Sequence, residues 1–85
     1  MEDLQNKLNK IDWDNDKSIK DFINNNDTDI FTGTNESGQK VIVQIIKGKS
    51  IKLSTMQDNN WIRINTYTID DEDSTCLIRE ETYEK

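Results

Sequence analysis

The stretch KVIVQIIKGKSIKLSTM, residues 40–56, decides the fold. Its first eight residues, 40–47, are largely β-branched and apolar, which predicts a central strand covered on both faces. Gly48-Lys49 then predicts a two-residue hairpin turn, because a type II′ turn places Gly first. A second strand follows over residues 50–56. The stretch therefore predicts an antiparallel sheet.

The same alternating pattern extends on both sides of this stretch. A short strand is predicted over 30–34, followed by a turn at 35–38, and the clearest strand of the chain is predicted over 61–69. A last strand over 75–83 pairs back across an acidic turn. We expect Thr68 to lie opposite Cys76, since this register keeps the apolar residues of the hairpin together. Ile62, Ile64 and Ile78 then share one face.

The first third of the chain predicts helix instead. Apolar residues recur there three or four positions apart, in two groups: Leu4, Leu8 and Ile11, then Ile19, Phe22 and Ile23. Trp13 lies in the polar stretch between the groups, so two short helices and one kinked helix both remain open, with Asp16 or Ser18 as a helix cap. The predicted class is α+β, with one or two N-terminal helices followed by a four- to five-stranded antiparallel β-meander. We expect a single domain over 1–85, helical over 1–26 and sheet over 29–83.

The charge of the chain restricts its partners. Seventeen acids stand against eleven bases, which gives a formal net charge of −6. Such a chain is a poor ligand for nucleic-acid phosphates and for anionic membranes, because both need Lys and Arg. It is suited to a basic protein, although the same charge also keeps a protein soluble without any partner.

Catalytic and metal-binding motifs are missing from the sequence. Without His there is no Ser–His or Cys–His pair, the three Gly residues are isolated, and we expect the single Cys76 to be buried in a strand. The acids at 12, 14 and 16 resemble the start of a calcium loop, but Lys17 and Ile23 stand where that loop needs Gly and Glu. We therefore expect no enzyme, no cofactor and no metal.

The chain also shows no targeting pattern. It begins without the basic and apolar regions of a signal peptide, and its longest apolar run, 41–46, is too short to span a bilayer. A single free thiol fits a reducing compartment. We expect a cytoplasmic protein, in a host cell if it is phage-encoded.

The acids are concentrated towards the C-terminus. A turn and the last strand contain seven of them: Asp70, Asp71, Glu72, Asp73, Glu80, Glu81 and Glu84. Acids are common in turns, so a solvated turn is one interpretation. The other is a row of carboxylates that replaces nucleic-acid phosphates, since residues of a strand advance about 3.3 Å each and phosphates about 3.4 Å. Trp61 and Tyr67 are predicted to flank these acids as interface aromatics, although core packing is an equal alternative for Trp61.

The segment WIRINTY, residues 61–67, with its acidic turn and EETYE, residues 80–84, resembles the C-terminal hairpin of small phage and mobile-element proteins from low-GC Gram-positive bacteria. Size, richness in Asn and Asp, and helix before sheet are similar to several anti-CRISPR proteins. The resemblance implies an inhibitor that binds a Cas effector and blocks its DNA-binding or PAM-reading site. It assigns no role to individual residues.

These observations favour a non-enzymatic protein inhibitor, phage- or mobile-element-encoded, that presents acids to a basic nucleic-acid-binding protein. An immunity protein for a nuclease toxin requires the same electrostatics. A structural or regulatory oligomer subunit, including a homodimer, is the alternative from a different class.

Overall fold

The computed structural model describes residues 4–85, apart from the side chains of Leu4, Gln5 and Lys7. Seven elements follow one another along the chain: helices α1 Leu4–Asn9 and α2 Asp16–Asn25, then strands β1 Asp29–Thr34, β2 Lys40–Ile46, β3 Ser50–Met56, β4 Ile62–Ile69 and β5 Leu77–Glu84. The strands form one antiparallel sheet in the order β1-β2-β3-β4-β5. The predicted α+β class is confirmed. Residues 1–3 of the predicted helical segment, and the apolar role expected for Leu4, lie outside the described residues.

Two separate helices form because the polar segment between them ends one and caps the other. The Oδ1 atom of Asn15 accepts hydrogen bonds from the backbone N–H groups of Lys17 and Ser18, at 3.0 and 3.3 Å. Asn15 is thus the N-cap, and the prediction of Asp16 or Ser18 as the cap is wrong. Asp16 is instead the first helical residue, and the Ser18 hydroxyl accepts the N–H of Asp12 at 3.2 Å. Over residues 4–85, no helix is long and apolar enough to cross a membrane.

The hydrophobic core lies between the helices and one face of the sheet. Leu8, Ile19, Phe22 and Ile23 from the helices pack with Val41, Val43, Ile45 and Ile51 from β2 and β3. Alternate residues of β2 point away from this core, and Ile42 and Ile46 are 37% and 40% exposed. The prediction that β2 is covered on both faces is therefore wrong. Its β-branched residues suit a strand whether or not a second layer covers them.

The turn between β2 and β3 contains three residues, so the predicted two-residue turn is also wrong. Ile46 pairs with Ser50, and the N–H of Lys49 donates to the carbonyl of Ile46 at 2.9 Å. Gly48 is the middle residue of this turn and has φ +74°, a conformation that glycine adopts at little cost. The Gly48 N–H also donates to the carbonyl of Ile23 at 2.9 Å, which attaches the turn to the end of α2.

The hairpin of β4 and β5 has a register two residues from the predicted one. Thr68 lies opposite Ile78 rather than Cys76, because β5 begins at Leu77 after a longer loop over residues 70–76. A shift of two residues leaves every side chain on its predicted face. Ile62 and Ile64 therefore share a face with Ile78, as predicted. The helices cover the other face, so this one, the open face, has no helix on it.

Candidate acidic protein-binding surface

Two of the four acids in the loop over residues 70–76 have a structural role. The Asp70 Oδ1 atom accepts the N–H of Glu72 at 2.9 Å. The Asp73 Oδ1 atom accepts the N–H and the hydroxyl of Thr75, at 3.0 and 2.6 Å. Short side chains that bind the backbone two residues later are typical of turns. Folding alone therefore accounts for Asp70 and Asp73.

The hydrogen bonds of this loop also set the ionisation of two groups. Donation by the Thr75 hydroxyl, and then by its backbone N–H, lowers the pKa of Asp73. Cys76 Sγ donates to the other oxygen of Asp73 at 3.3 Å, and this bond raises the pKa of the thiol. Cys76 is exposed in the loop, so the prediction of a buried Cys in a strand is wrong. The fixed carboxylate beside it disfavours the thiolate form.

Asp71 and Glu72 differ from their two neighbours in the loop. Both are exposed, and the contacts recorded for residues 4–85 include no hydrogen bond or ion pair to either carboxylate. Their charge therefore contributes to the surface and not to the loop geometry. These two acids are the part of the predicted turn cluster that is available to a partner.

The acids of β5 are divided between the two faces of the sheet. Glu80 and Glu84 lie on the open face, opposite Thr66 and Ile62 of β4. Glu81 lies on the helix-covered face and accepts a hydrogen bond from the Tyr83 hydroxyl at 2.8 Å. Same-face carboxylates four residues apart are about 13 Å apart along a strand. Strand β5 therefore has no continuous row of carboxylates at the phosphate spacing.

The two aromatic residues predicted at the site lie in different surroundings. Tyr67 is half-buried on the helix-covered face, where its ring centroid is 5.1 Å from that of Trp13, and burial raises the pKa of its hydroxyl. Trp61 precedes β4 and is 36% exposed, with Lys85 Nζ 5.7 Å from its ring centroid. It thus lies near Glu84, at the opposite end of the hairpin from the loop over residues 70–76, which we call the acidic loop. Tyr67 packs under the N-terminal segment, while Trp61 remains accessible.

The structure adds a second group of acids that the sequence analysis did not assign to the site. Arg79 of β5 donates to the carbonyl of Trp13 at 2.8 Å and forms an ion pair with Asp16, which is the main cause of its raised pKa. Lys20 of α2 donates to the carbonyl of Thr75 at 2.9 Å. These contacts hold the segment over residues 12–16 beside β5, and α2 beside the acidic loop.

We define the acidic surface as the carboxylates of these three neighbouring segments. Its members are Asp12, Asp14, Asp16, Asp70, Asp71, Glu72, Asp73, Glu80, Glu81 and Glu84. The first three acids belong to the sequence DWDND, residues 12–16, which resembles the start of a calcium loop but lacks its later ligands. Its position beside β5 depends on contacts between residues more than sixty positions apart.

Negative charge is the property that the residues of this surface share. No group of His, Cys, Asp or Glu within residues 4–85 has an arrangement that could hold a metal ion. Comparison with protein-family models, curated proteins and solved structures found no match.

Proposed function

We propose that this chain is a non-enzymatic inhibitor that covers the nucleic-acid-binding site of a basic protein with its acidic surface. The proposed scaffold places N-terminal helices before the antiparallel meander. The observation that supports this function most directly is the link from Arg79 to Trp13 and Asp16. It brings the acids of residues 12–16 beside strand β5. The resemblance to anti-CRISPR proteins favours a phage- or mobile-element-encoded inhibitor of a Cas effector.

The distribution of charge over the sheet supports the same proposal. Residues 62–84 contain seven acids and two arginines, whereas residues 40–56 contain four lysines and no acid. The hairpin of β4 and β5 is therefore more acidic than the hairpin of β2 and β3. A negatively charged hairpin attracts a basic partner and accelerates association at low salt.

A structural alternative accounts for part of this charge. Strand β5 is an edge strand, and its outer backbone groups have no strand beside them in the sheet. Charged side chains on an edge strand discourage pairing with other chains. This explains Glu80, Glu81 and Glu84, but it does not explain Asp71 and Glu72 in the loop. It does not apply to the 12–16 acids, of which Asp12 accepts the N–H of Asp14 at 3.1 Å and Asp16 pairs with Arg79.

The experiment compares two variants with the same net charge. The first replaces four acids of the surface whose carboxylates accept no hydrogen bond from the backbone: Asp71→Asn, Glu72→Gln, Glu80→Gln and Glu84→Gln. The control replaces exposed acids elsewhere: Asp21→Asn, Asp27→Asn, Asp29→Asn and Asp58→Asn. Each variant is immobilised beside the wild type and used to capture proteins from a host lysate. The captured protein is then purified and its affinity measured by calorimetry over a range of salt concentrations.

The proposal predicts that the surface variant binds at least about tenfold more weakly than the control, and that wild-type binding weakens steeply as salt rises. Duplex DNA or RNA that binds the captured protein should compete with the wild-type chain. Equal losses in both variants would mean that net charge alone matters. A captured Cas effector supports the anti-CRISPR form of the proposal, whereas a nuclease toxin supports the immunity-protein form.

A second candidate function, self-association as an oligomer subunit, is favoured by the open face of the sheet. Exposed apolar side chains there include Ile30, Ile42, Ile46, Met56 and Ile78. Lys40 and Lys52 lie on this face at β2 and β3, and Glu80 and Glu84 lie on it at β5. In a two-fold dimer of stacked sheets, the lysines of one copy can meet the glutamates of the other.

The size of the open face makes such a dimer feasible. Five strands about 4.8 Å apart, with about seven residues of 3.3 Å each, cover roughly 550 Å² per copy. Two copies together would bury roughly 1,100 Å², near the lower end for specific interfaces. Sedimentation equilibrium tests this candidate with Lys40→Glu, Glu84→Lys and the double swap. The oligomer candidate is supported if each single reversal weakens the dimer and the double swap restores it. It is excluded if the wild-type chain has the mass of a monomer at every concentration.

A further inference from the structure

A cavity of about 470 Å³ lies between the N-terminal segment and the helix-covered face of the sheet. Its apolar walls are formed by Leu8, Ile11, Trp13, Val41 and Leu53. A volume of this size is within the range of small-molecule sites, which combine apolar walls with a few polar groups. Of the acidic surface, Glu81 lies opposite the cavity residue Asn65 on the same face of the sheet.

Arg63 of β4 is the cationic residue among the described residues that line this cavity. Its side chain lies on the helix-covered face, between Thr55 and Tyr83 on the neighbouring strands. The Nε–H group is buried and has no acceptor within the described chain. A buried donor without an acceptor is rare in folded proteins and calls for a specific cause.

The contrast with Arg79 makes Arg63 distinctive. Both arginines lie on the same face of the sheet, but Arg79 has its carboxylate partner in Asp16. The ion pairs of residues 4–85 include none to Arg63, in a chain with seventeen acids. No described carboxylate is therefore within ion-pair distance of this guanidinium, which contacts the Tyr83 hydroxyl and keeps its Nε–H group without an acceptor.

We propose that the cavity binds a small organic monoanion, with a carboxylate at Arg63 and an apolar body against Trp13, Ile11 and Leu53. An Arg guanidinium is suited to a carboxylate because its N–H groups form a fork that matches two oxygens. The side-chain amide of Asn65, also at the cavity, supplies a further donor. Glu36 at the cavity disfavours ligands with a second negative charge.

The simpler explanation is that Arg63 only packs its aliphatic stem across the sheet, as long cationic side chains do. That explanation predicts no preference for an anion over a neutral molecule of the same shape. The two accounts are therefore separated by a ligand series in which only the charged group changes.

The test uses 4-phenylbutyrate, 4-phenylbutanol and 4-phenylbutylamine with the full chain carrying Trp61→Phe. Trp13 is then the single tryptophan, and its fluorescence reports on the cavity wall. Backbone amide chemical shifts of Thr55 and Asn65 locate the ligand independently. We expect the acid to bind at least about tenfold more tightly than the alcohol, and the amine most weakly. The shift changes should centre on the cavity.

Substitution at Arg63 completes the test, with Lys52→Gln on the open face as the control that removes one positive charge away from the cavity. Arg63→Gln should abolish the preference for the acid, Arg63→Lys should retain part of it, and Lys52→Gln should leave it unchanged. Equal binding of acid and alcohol, tighter binding of the amine, or shift changes away from Thr55 and Asn65 would overturn the proposal. If Arg63→Gln does not fold, the ligand series on the parent chain still decides the question. The result is independent of the acidic surface, whose variants should bind 4-phenylbutyrate as before.

Discussion

The two hairpins β2–β3 and β4–β5 are built from similar strands but contribute differently to the molecule. The first contains the fully buried Val43, Ile45 and Ile51 and has a three-residue turn attached to α2. The second has one buried apolar residue, Ile64, and a longer loop held by aspartate side chains. The first is also free of acids, whereas the second contains seven. The comparison indicates that β2–β3 stabilises the fold and that β4–β5 presents charge.

The largest expected effect is on stability, from equivalent truncations in the two hairpins. Ile45→Ala removes a fully buried side chain and should lower the free energy of unfolding by about 2–5 kcal/mol. Ile78→Ala removes a side chain that is 44% exposed, and should cost less than about 1 kcal/mol. Urea unfolding followed by circular dichroism measures both. Similar losses would mean that the hairpins contribute equally to the core.

A smaller effect is expected where the charged hairpin contacts the N-terminal segment. Arg79→Gln removes the ion pair with Asp16 and a hydrogen bond to the carbonyl of Trp13, both partly exposed. The loss of stability should be about 0.5–1 kcal/mol. The Tyr67 and Trp13 ring signals in NMR should also shift, because Arg79 lies 5.7 Å from the Tyr67 ring centroid. Unchanged ring signals would argue against this link between the 12–16 segment and β5.

The smallest effect is on the ionisation of the acidic loop. Thr75→Ala removes the main donor to Asp73, so the pKa of Asp73 should rise towards its ordinary value of 3.8. A lowered pKa in the folded state contributes stability above the ordinary pKa, and this contribution is lost as the pH falls through the folded value. The variant should therefore be less stable than the wild type at neutral pH, with the difference disappearing in acid. NMR titration of the Asp73 carboxylate checks the pKa directly.

Strand positions and faces could be predicted from the sequence because alternation is a local property. The register of the last hairpin could not, since a shift of two residues preserves the faces and the pattern does not distinguish the two pairings. The exposure of Ile42 and Ile46 was missed for a related reason: β-branched residues indicate a strand but not whether a layer covers it. Cys76 was misplaced because it adjoins the strand pattern of Leu77 and Ile78, whereas its N–H donates to the carbonyl of Asp73 and keeps it in the loop.

The candidate site was only partly visible in the sequence. The acids of the last third form a local cluster, so composition alone located them. Asp70 and Asp73 have a structural role because they accept hydrogen bonds from the N–H groups of Glu72 and Thr75, whereas their neighbours do not. Residue type alone does not reveal this difference. The contribution of Asp16 depends on Arg79, sixty-three positions away. Contacts of that range are set by the sheet and not by local pattern.

The most direct measurement is the affinity of the purified captured partner for the two charge-matched variants at one salt concentration. If the acidic surface forms the interface, the variant at Asp71, Glu72, Glu80 and Glu84 binds at least about tenfold more weakly, while the control remains close to the wild type. If both variants bind alike, the hairpin is only a solvated surface and the central claim is wrong.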